Sequence, residues 1–577
     1  MTAASNESFL EHIYAEKTIF EIPFFQRNYK WKDNQTDRLI NDLQSVLDEE
    51  KEVHFLGAII FHQRPNEPGK PQIFEVIDGQ QRLTTIFLLI CAVVRWMVIK
   101  KHFARAVEIF LAYLVIERLT TPNSKLHSSK DDRGQINKIF EIILTNAEFK
   151  LALGSFKYVP LSAPTESTDS GTLRKNFNRF VKFLHNATDV HEDEEQKLQV
   201  VESLLQALMG AFSVVQLNVV DKSNGPVIFD SLNAAQEPMT IGDLVKNGIF
   251  AKVSNFDADT LTGIHDHLWE PFAKGFDTPK AFADFFFPYG LIHNPNTKKN
   301  LTYNELTKSW LGKTPEEIIG DMRSYQPFYN AAYSGLLSGI VDKDMKKQIK
   351  SLFDASIPQS SLPFIINVLK CQHEGGLEAS AACQILHNLE CFFVRRSICG
   401  HEPSGLHAVF KRLWGDLDKR TAGEVIRRIR SLPTVKVPED NEVREHVRKT
   451  QMYKKGIAHF FISEYDKSLG GEIPSDQFQL EHVLPQTMTE AWAQHFSREE
   501  HEALVHTAAN LLPVTQTVNA TLAQKPFIEK KDLVKTNSMF KSTRDFCEKY
   551  SAWTPLELEK RANNLADWAV DRWKFRI

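Results

Sequence analysis

Asp78-Gly79-Gln80-Gln81-Arg82 stands between the apolar runs QIFEVI and LTTIFLLICAVV, which concentrates a carboxylate, two amides and a guanidinium at one tight corner. Glycine there permits a backbone geometry and a close approach that a Cβ blocks. A helix starting just after it aims unpaired N–H groups and its positive dipole end at the corner, a seat for phosphate. Arg82 adds a forked donor matched to phosphate oxygens; Asp78 could hold a metal or orient water, and Gln80 and Gln81 could donate to phosphate or to a base edge. The stretch IPFFQRNYKW (22–31) adds Gln26 and Arg27 beside Tyr29 and Trp31, groups suited to stacking and phosphate contact. The same residues also suit a plain capped strand-to-helix turn with Arg82 paired to Asp78, beside a buried aromatic edge.

A second constellation lies near the C-terminus. LEHVLPQT (480–487) puts Glu481 and His482 in a short extended run ended by Pro485, and HTAANLLPVTQTVNATLAQKPFIEKK (506–531) supplies Asn510, a strand-like LLPV and Asn519 near a helix start. Cutting a phosphodiester needs a base near neutral pH, a cation for the developing charge and an orienter for the base. Histidine has its ordinary pKa in that range, and oxygen ligands such as Glu481 and Asn519 favour Mg²⁺ or Mn²⁺ over zinc. Singly, each residue also fits a half-buried histidine or a turn asparagine.

The elements that must position these groups follow from periodicity. IFEIPFF, VHFLGAIIF, QIFEVI and FSVVQLNVV (212–220) read as strands, and NQTDRLINDLQSVLDEE as an amphipathic helix through Leu39, Ile40, Leu43, Val46 and Leu47. Residues 154–172, rich in Pro, Ser, Thr and Gly, read as an exposed loop. Thr240 suits an N-cap before IGDLVKNGIF. Residues 255–460 are almost wholly helical in pattern, without a fixed-period repeat, and a Gly/Pro break at 467–476 precedes the segment carrying His482. LGKTPEE (311–317) is no P-loop, because position 307 is Thr rather than Gly.

At 577 residues the chain exceeds a single core, so two to four domains are expected. The hydrophobic share of 42% and charged share of 25% exclude long disorder and a coiled-coil rod. The start, MTAASNESFLEHIYAEK, does not read as a signal peptide. The longest apolar run, Ile86 to Val94, stops at Arg95 and is too short to span a bilayer. Six cysteines without a Cys-x-x-Cys pair make a zinc knuckle or disulfide framework unexpected and fit a cytoplasmic location. The net charge of −4 hides a basic stretch from Phe392 to Phe460, with 15 Lys or Arg against 8 Asp or Glu, which reads as solvated helix faces or as a phosphate-tracking surface.

The IPxFQRxYxW-like and DGQQR segments, with IFDSLNAAQEPMTIGDLVKN (228–247), EHVLPQT and ANLLPVT, resemble the GmrSD-type, type IV modification-dependent restriction endonucleases. The resemblance implies an α+β chain with a ParB/sulfiredoxin-like nucleotide-binding domain over 1–250 and a ββα-metal HNH nuclease over 467–577; the helical connecting region over 251–466, which makes the chain mostly helical, is read from pattern alone. It implies NTP binding by Gln26, Arg27, Asp78, Gly79, Gln80, Gln81 and Arg82, with Asp78 and Gln81 taking part in hydrolysis and Asn233, Asp243 and Lys246 at the border. It makes His482 the general base, Asn510 its orienter, Glu481 and Asn519 ligands of Mg²⁺ or Mn²⁺, and Lys525 and Lys531 phosphate contacts; Ala523 offers no third ligand. Ala509 replaces the family's usual glycine, and Arg395 and Arg396 in FFVRRSICG either sense phosphate or pair with acids. The implied partner is double-stranded DNA, modified for example by glucosylated hydroxymethylcytosine or phosphorothioate, cut by an NTP-regulated endonuclease, with a homodimer or two encounters needed to cut both strands. The rival expectations are a nucleotide-switched DNA-binding sensor with an idle nuclease domain, and an RNase toxin.

Overall fold

The computed structural model describes the chain apart from residues 1–4, 16, 24–25, 49–52, 117–123, 164–170, 220–239, 254–257, 336–342, 402–404, 472–477 and 577. Asn233, residues 164–170 of the 154–172 loop and the second half of the 467–476 break therefore lie outside the described residues. Two compact units emerge: residues 1–269 with Lys313–Ile318, and Glu270–Gly312 with 319–577. The architecture is α+β and predominantly helical.

In the first unit the β-branched and aromatic runs form strands β1 (Ser5–Phe9), β2 (Thr18–Glu21), β3 (His54–Gln63), β4 (Gln72–Asp78), β5 (Leu126–His127) and β6 (Phe212–Asn218). They make one mixed sheet in the order β1-β6-β3-β4-β2-β5, in which β3 runs antiparallel to β4 and parallel to β6. Its helices include α1 (Gln80–Ile99), α2 (Arg133–Leu144), α3 (Thr172–Thr188), α4 (Glu194–Ala211) and α5 (Ile241–Ala251).

Helix α1 is the centre of that core: every residue but Arg95 and Ile99 is buried. Fully burying a large apolar side chain contributes about 1.5–3 kcal/mol, so Leu83 through Val98 supply enough to draw the polar residues Gln80, Gln81 and Arg82 under cover with them. The sequence pattern suggested a nine-residue apolar run; helical continuation through Thr84, Thr85 and Arg95 makes one that by length and composition could cross a membrane, yet 89% of it is buried inside the fold.

The second unit is helical around α6 (Ala379–Cys399), α7 (Asp440–Lys449), α8 (Ala458–Ser468), α9 (Gln516–Leu522), α10 (Phe527–Asn537) and α11 (Pro555–Arg572), with one antiparallel pair, β7 (Gln479–His482) and β8 (Leu511–Val514). Its hydrophobic core takes Ile398, Val443, Val447 and Phe461 together with Leu484, Trp492, Leu512, Trp553 and Trp573. The core therefore ignores the Gly/Pro break and uses side chains from both sides of it.

Candidate functional site

Strands β7 and β8 pair Glu481 with Leu512 and His482 with Leu511, and Thr515 caps α9 through the amide of Val518. This is the strand, strand, helix order read from the sequence. His482 sits at the end of β7, where its Nε2 lies 3.1 Å from Nδ1 of His506 and its Nδ1 lies 3.4 Å from Nε2 of Gln486. The Tyr453 ring meets the imidazole edge-on at 4.3 Å, and the Tyr453 amide donates to the His506 carbonyl. Burial first, then the charges of His506 and Lys530, push the His482 pKa down to about 4, so the ring is neutral at physiological pH.

Asn510 is fully buried and holds the turn that follows His482. Its Oδ1 accepts from the Leu484 amide at 2.7 Å and from Nε1 of Trp553 at 3.2 Å, and its Nδ2 donates to the Leu484 and Val505 carbonyls. Arg561 bonds the carbonyls on either side of it, Ala509 and Leu511. Asn510 thus orients the loop that carries His482, while the contacts on the ring itself come from His506, Gln486 and Tyr453.

Glu481 has an unexpected partner. Lys530 on α10 donates to Glu481 Oε1 at 2.6 Å and to the His482 carbonyl at 2.7 Å, with both side chains buried. Burial outweighs their attraction on both sides, pushing the Glu481 carboxyl up and the Lys530 ammonium down. Gln479 and Glu481 share a strand face, and Asn519 Nδ2 donates to Gln479 Oε1 at 2.6 Å, so Asn519 meets the same face. This carboxylate and amide oxygen fit a hard divalent cation in donor type, with Lys530 competing for the carboxylate.

Of the two expected phosphate lysines, Lys525 is paired with Glu529 at the surface, and Lys531 donates to the Tyr550 carbonyl. His506, Gln486, Tyr453 and Lys530 were not singled out from the sequence. A signal existed for the last: Phe527, Lys530 and Val534 are three and four residues apart, one face of a helix, and that face is buried.

The corner at 78–82 is built from the core outward. Gly79 caps α1 with φ +90°, and an added Cβ would stand 3.1 Å from Ile59 Cα. Arg82 turns inward, donating to the Ala58 carbonyl at 2.5 Å beneath a bulge of β3 at Gly57, where a side chain would strike its guanidinium. Gln81 accepts from the Lys30 amide and donates to the Asn28 carbonyl, tying the 26–31 segment to α1. Gln26 donates to the Val76 and Ile77 carbonyls at the end of β4. Tyr29 is buried, its hydroxyl on Thr85 and Asn176, and is closed to a base. Gln26 Oε1, Gln80 Oε1 and Arg27 Nε are buried without a hydrogen-bond partner among the described residues.

Asp243, Arg395 and Arg396 make contacts within the fold. The Asp243 carboxylate closes a capping box with Thr240 at the start of α5. Arg395 bonds the Trp573 and Pro438 carbonyls and Asp440, and Arg396 bonds the Lys436 carbonyl. In the basic stretch Arg428, Arg430, Arg444, Arg448 and Lys449 pair with carboxylates.

Comparison with known families finds two matches in chain order. Residues 10–250 match the GmrSD restriction endonuclease N-terminal domain, and residues 437–568 match the GmrSD restriction endonuclease C-terminal domain. The second match takes in α7 and α8 as well as the β7–β8 pair, in line with the shared core. The comparison with curated proteins gives no match. Together the two family matches cover well over half of the chain, which belongs to the GmrSD restriction endonuclease family.

Proposed function

We propose that the chain is a metal-dependent HNH-type DNA endonuclease that cuts modified foreign DNA under control of a nucleotide bound at the 78–82 corner. The observation that carries the nuclease reading is His482: a neutral, partnered imidazole at the end of a two-stranded sheet, in a turn locked by Asn510. With Nε2–H donating to His506, Nδ1 keeps its lone pair, and the weak Gln486 contact there yields to an incoming water. His482 would take that water's proton as the oxygen attacks phosphorus in line. Glu481 and Asn519 would hold Mg²⁺ or Mn²⁺, which when bound supplies Lewis-acid stabilisation of the leaving 3′ oxygen. The expected product carries a 5′ phosphate.

The nucleotide reading rests on the orphaned Arg27 Nε near the start of a twenty-residue helix, a donor that a phosphate oxygen would satisfy together with helix N–H groups, and on the orphaned Gln26 and Gln80 oxygens, acceptors that a ribose hydroxyl or a base amino group would satisfy. Gln81 and Arg82 then act by fixing the corner, and Asp78 by orienting water for hydrolysis. A second reading, a nucleotide-switched DNA sensor with an idle nuclease, is favoured by one observation: the Lys530 ammonium already lies on the Glu481 carboxylate.

The test is cleavage of matched plain and glucosyl-hydroxymethylcytosine DNA by the purified chain with Mg²⁺ or Mn²⁺, with and without NTPs, beside His482→Ala. Cutting of the modified DNA alone, lost in the variant, supports the proposal. Binding of modified DNA with NTP hydrolysis, no cutting and unchanged phage restriction in His482→Ala would establish the sensor.

A further inference from the structure

Away from the nuclease centre, the C-terminal end of α6 and one face of α7 bring together side chains that the proposed reaction does not use. One donor atom each of Cys399, Glu442 and His446 lies within 4.8 Å of the other two. His401 stands beside them, its Nε2 2.8 Å from Glu442 Oε1. Two local geometries create the cluster. Gly400 ends α6 in the left-handed conformation, φ +75°, which turns the chain back so that His401 follows Cys399 around the helix end. Glu442 and His446 are four apart on α7 and therefore share a face.

We propose that Cys399, His401, Glu442 and His446 form a structural binding site for a thiophilic divalent transition metal of the zinc class, separate from the nuclease metal. Thiolate, imidazole and carboxylate are zinc's ordinary ligands, whereas Mg²⁺ and Mn²⁺ avoid sulfur. About a zinc ion at about 2.0–2.3 Å, tetrahedral ligand atoms stand about 3.3–3.8 Å apart, so the donor atoms of Cys399, Glu442 and His446 close on an ion with shifts of about an ångström, and His401, held at Glu442, would swing in as the fourth ligand. The bond between His446 Nδ1 and the Glu442 carbonyl, 2.8 Å, orients the ring and leaves Nε2 for the ion, the backing bond that metal-bound histidines commonly have.

Without the ion the carboxylate is held by cations: Lys436 Nζ lies 2.9 Å from Glu442 Oε1, and the Lys436 side chain is 60% exposed. A divalent ion replaces that ammonium, which is free to turn into solvent, and the Cys399 thiol releases its proton to water as sulfur binds. The neighbouring Lys455 is tied to the Ser397 and Ile398 carbonyls at the end of α6, close enough for its charge to favour the Cys399 thiolate. Clamping α6 to α7 fixes the stem of the segment that delivers Tyr453 to the edge of His482. The site therefore serves the nuclease by position, and it stands whether or not the nucleotide reading holds.

The absence of Cys-x-x-Cys spacing conceals it, because two ligands come from a helix end and two from a helix face over forty residues later. The test uses the full chain, stripped with chelator and reloaded with Zn²⁺ or Co²⁺. X-ray absorption at the zinc edge of the wild-type protein should show one sulfur at about 2.3 Å, and Co²⁺ should give a thiolate-to-cobalt charge-transfer band in the near ultraviolet. The band should disappear in Cys399→Ser, weaken in His446→Ala and persist in His482→Ala. Because the wild-type spectrum alone reads sulfur, a variant that fails to fold leaves the test intact. Zinc bound through nitrogen and oxygen only, or a folded wild-type protein that binds neither ion, would overturn the proposal and leave an ion-pair cluster.

Discussion

Removing one partner of the buried Glu481–Lys530 pair should expose how much of the nuclease centre depends on it. In Lys530→Met the Glu481 carboxylate, on a side chain 10% exposed, loses its counter-charge, and breaking such a buried pair costs about 3–5 kcal/mol. The His482 carbonyl also loses a donor, worth about 1 kcal/mol or more. The expected loss at neutral pH is thus about 4–6 kcal/mol. In the double variant Glu481→Gln/Lys530→Met both charges go, and stability should return to within about 1–2 kcal/mol of wild type, a recovery of about 3 kcal/mol over Lys530→Met alone. The pH dependence has a definite sign. Burial already raises the Glu481 carboxyl above its unfolded value, and loss of the ammonium raises it further. The Lys530→Met deficit is therefore small below the unfolded carboxylate pKa and grows as pH rises towards neutrality. Urea unfolding of the second unit, followed by the fluorescence of its buried Trp492, Trp553 and Trp573, measures all of this. A double variant that simply sums the singles, or a deficit that does not shrink in acid, would refute the reasoning.

Other perturbations have equally definite outcomes. Asn510→Ala strands the Leu484 amide, two carbonyls and the Trp553 indole, so unfolding should ease by at least about 3 kcal/mol, with nuclease activity lost below the new melting temperature. Gly79→Ala forces an L residue to φ +90° against Ile59, costing about 1–2 kcal/mol for the backbone alone, and should weaken nucleotide binding measured by calorimetry. Burial, with Arg133 and Arg64, pushes His127 down to about 4. The unfolded chain then binds the extra proton first, so stability of the first unit should fall as pH drops from about 6.5 towards 4, and His127→Phe should flatten that limb in acid melts. The acid limb of nuclease kcat/KM should likewise lie below the ordinary histidine range, because His482 stays neutral to about 4.

What the sequence made legible was pattern, and what it hid was direction. The strands at 54–63, 72–78 and 212–218, the Thr240 cap and the pairing of Glu481 and His482 with a following LLPV strand all follow from period-2 alternation and capping chemistry. Arg82 reads as a phosphate ligand by type, yet its fate depends on a bulge in β3 at Gly57, over twenty residues earlier, that opens a slot for it. Lys530 and Lys531 are identical in type and adjacent. Only the register of α10 against β7 sends the first beneath Glu481 and the second to Tyr550. The His506 contact on His482 depends on how the 505–510 turn folds back over Leu484, a tertiary fact with no local signature.

Helix α1 also poses a problem of timing. It leaves the ribosome as a twenty-residue segment with a nine-residue apolar centre, while α3 and α4, which cover it, begin only at Thr172 and Glu194. At about 5–20 residues per second, the segment waits on the order of 4–20 s for its cover. During that wait its apolar centre has no partner from α3 or α4. Its mates β3 and β4 are already made and can shelter one side, so early docking of the 54–78 hairpin decides whether the nascent chain folds or is misdirected. Substitutions that loosen that hairpin should therefore lower yield in cells more than they lower the stability of the finished protein.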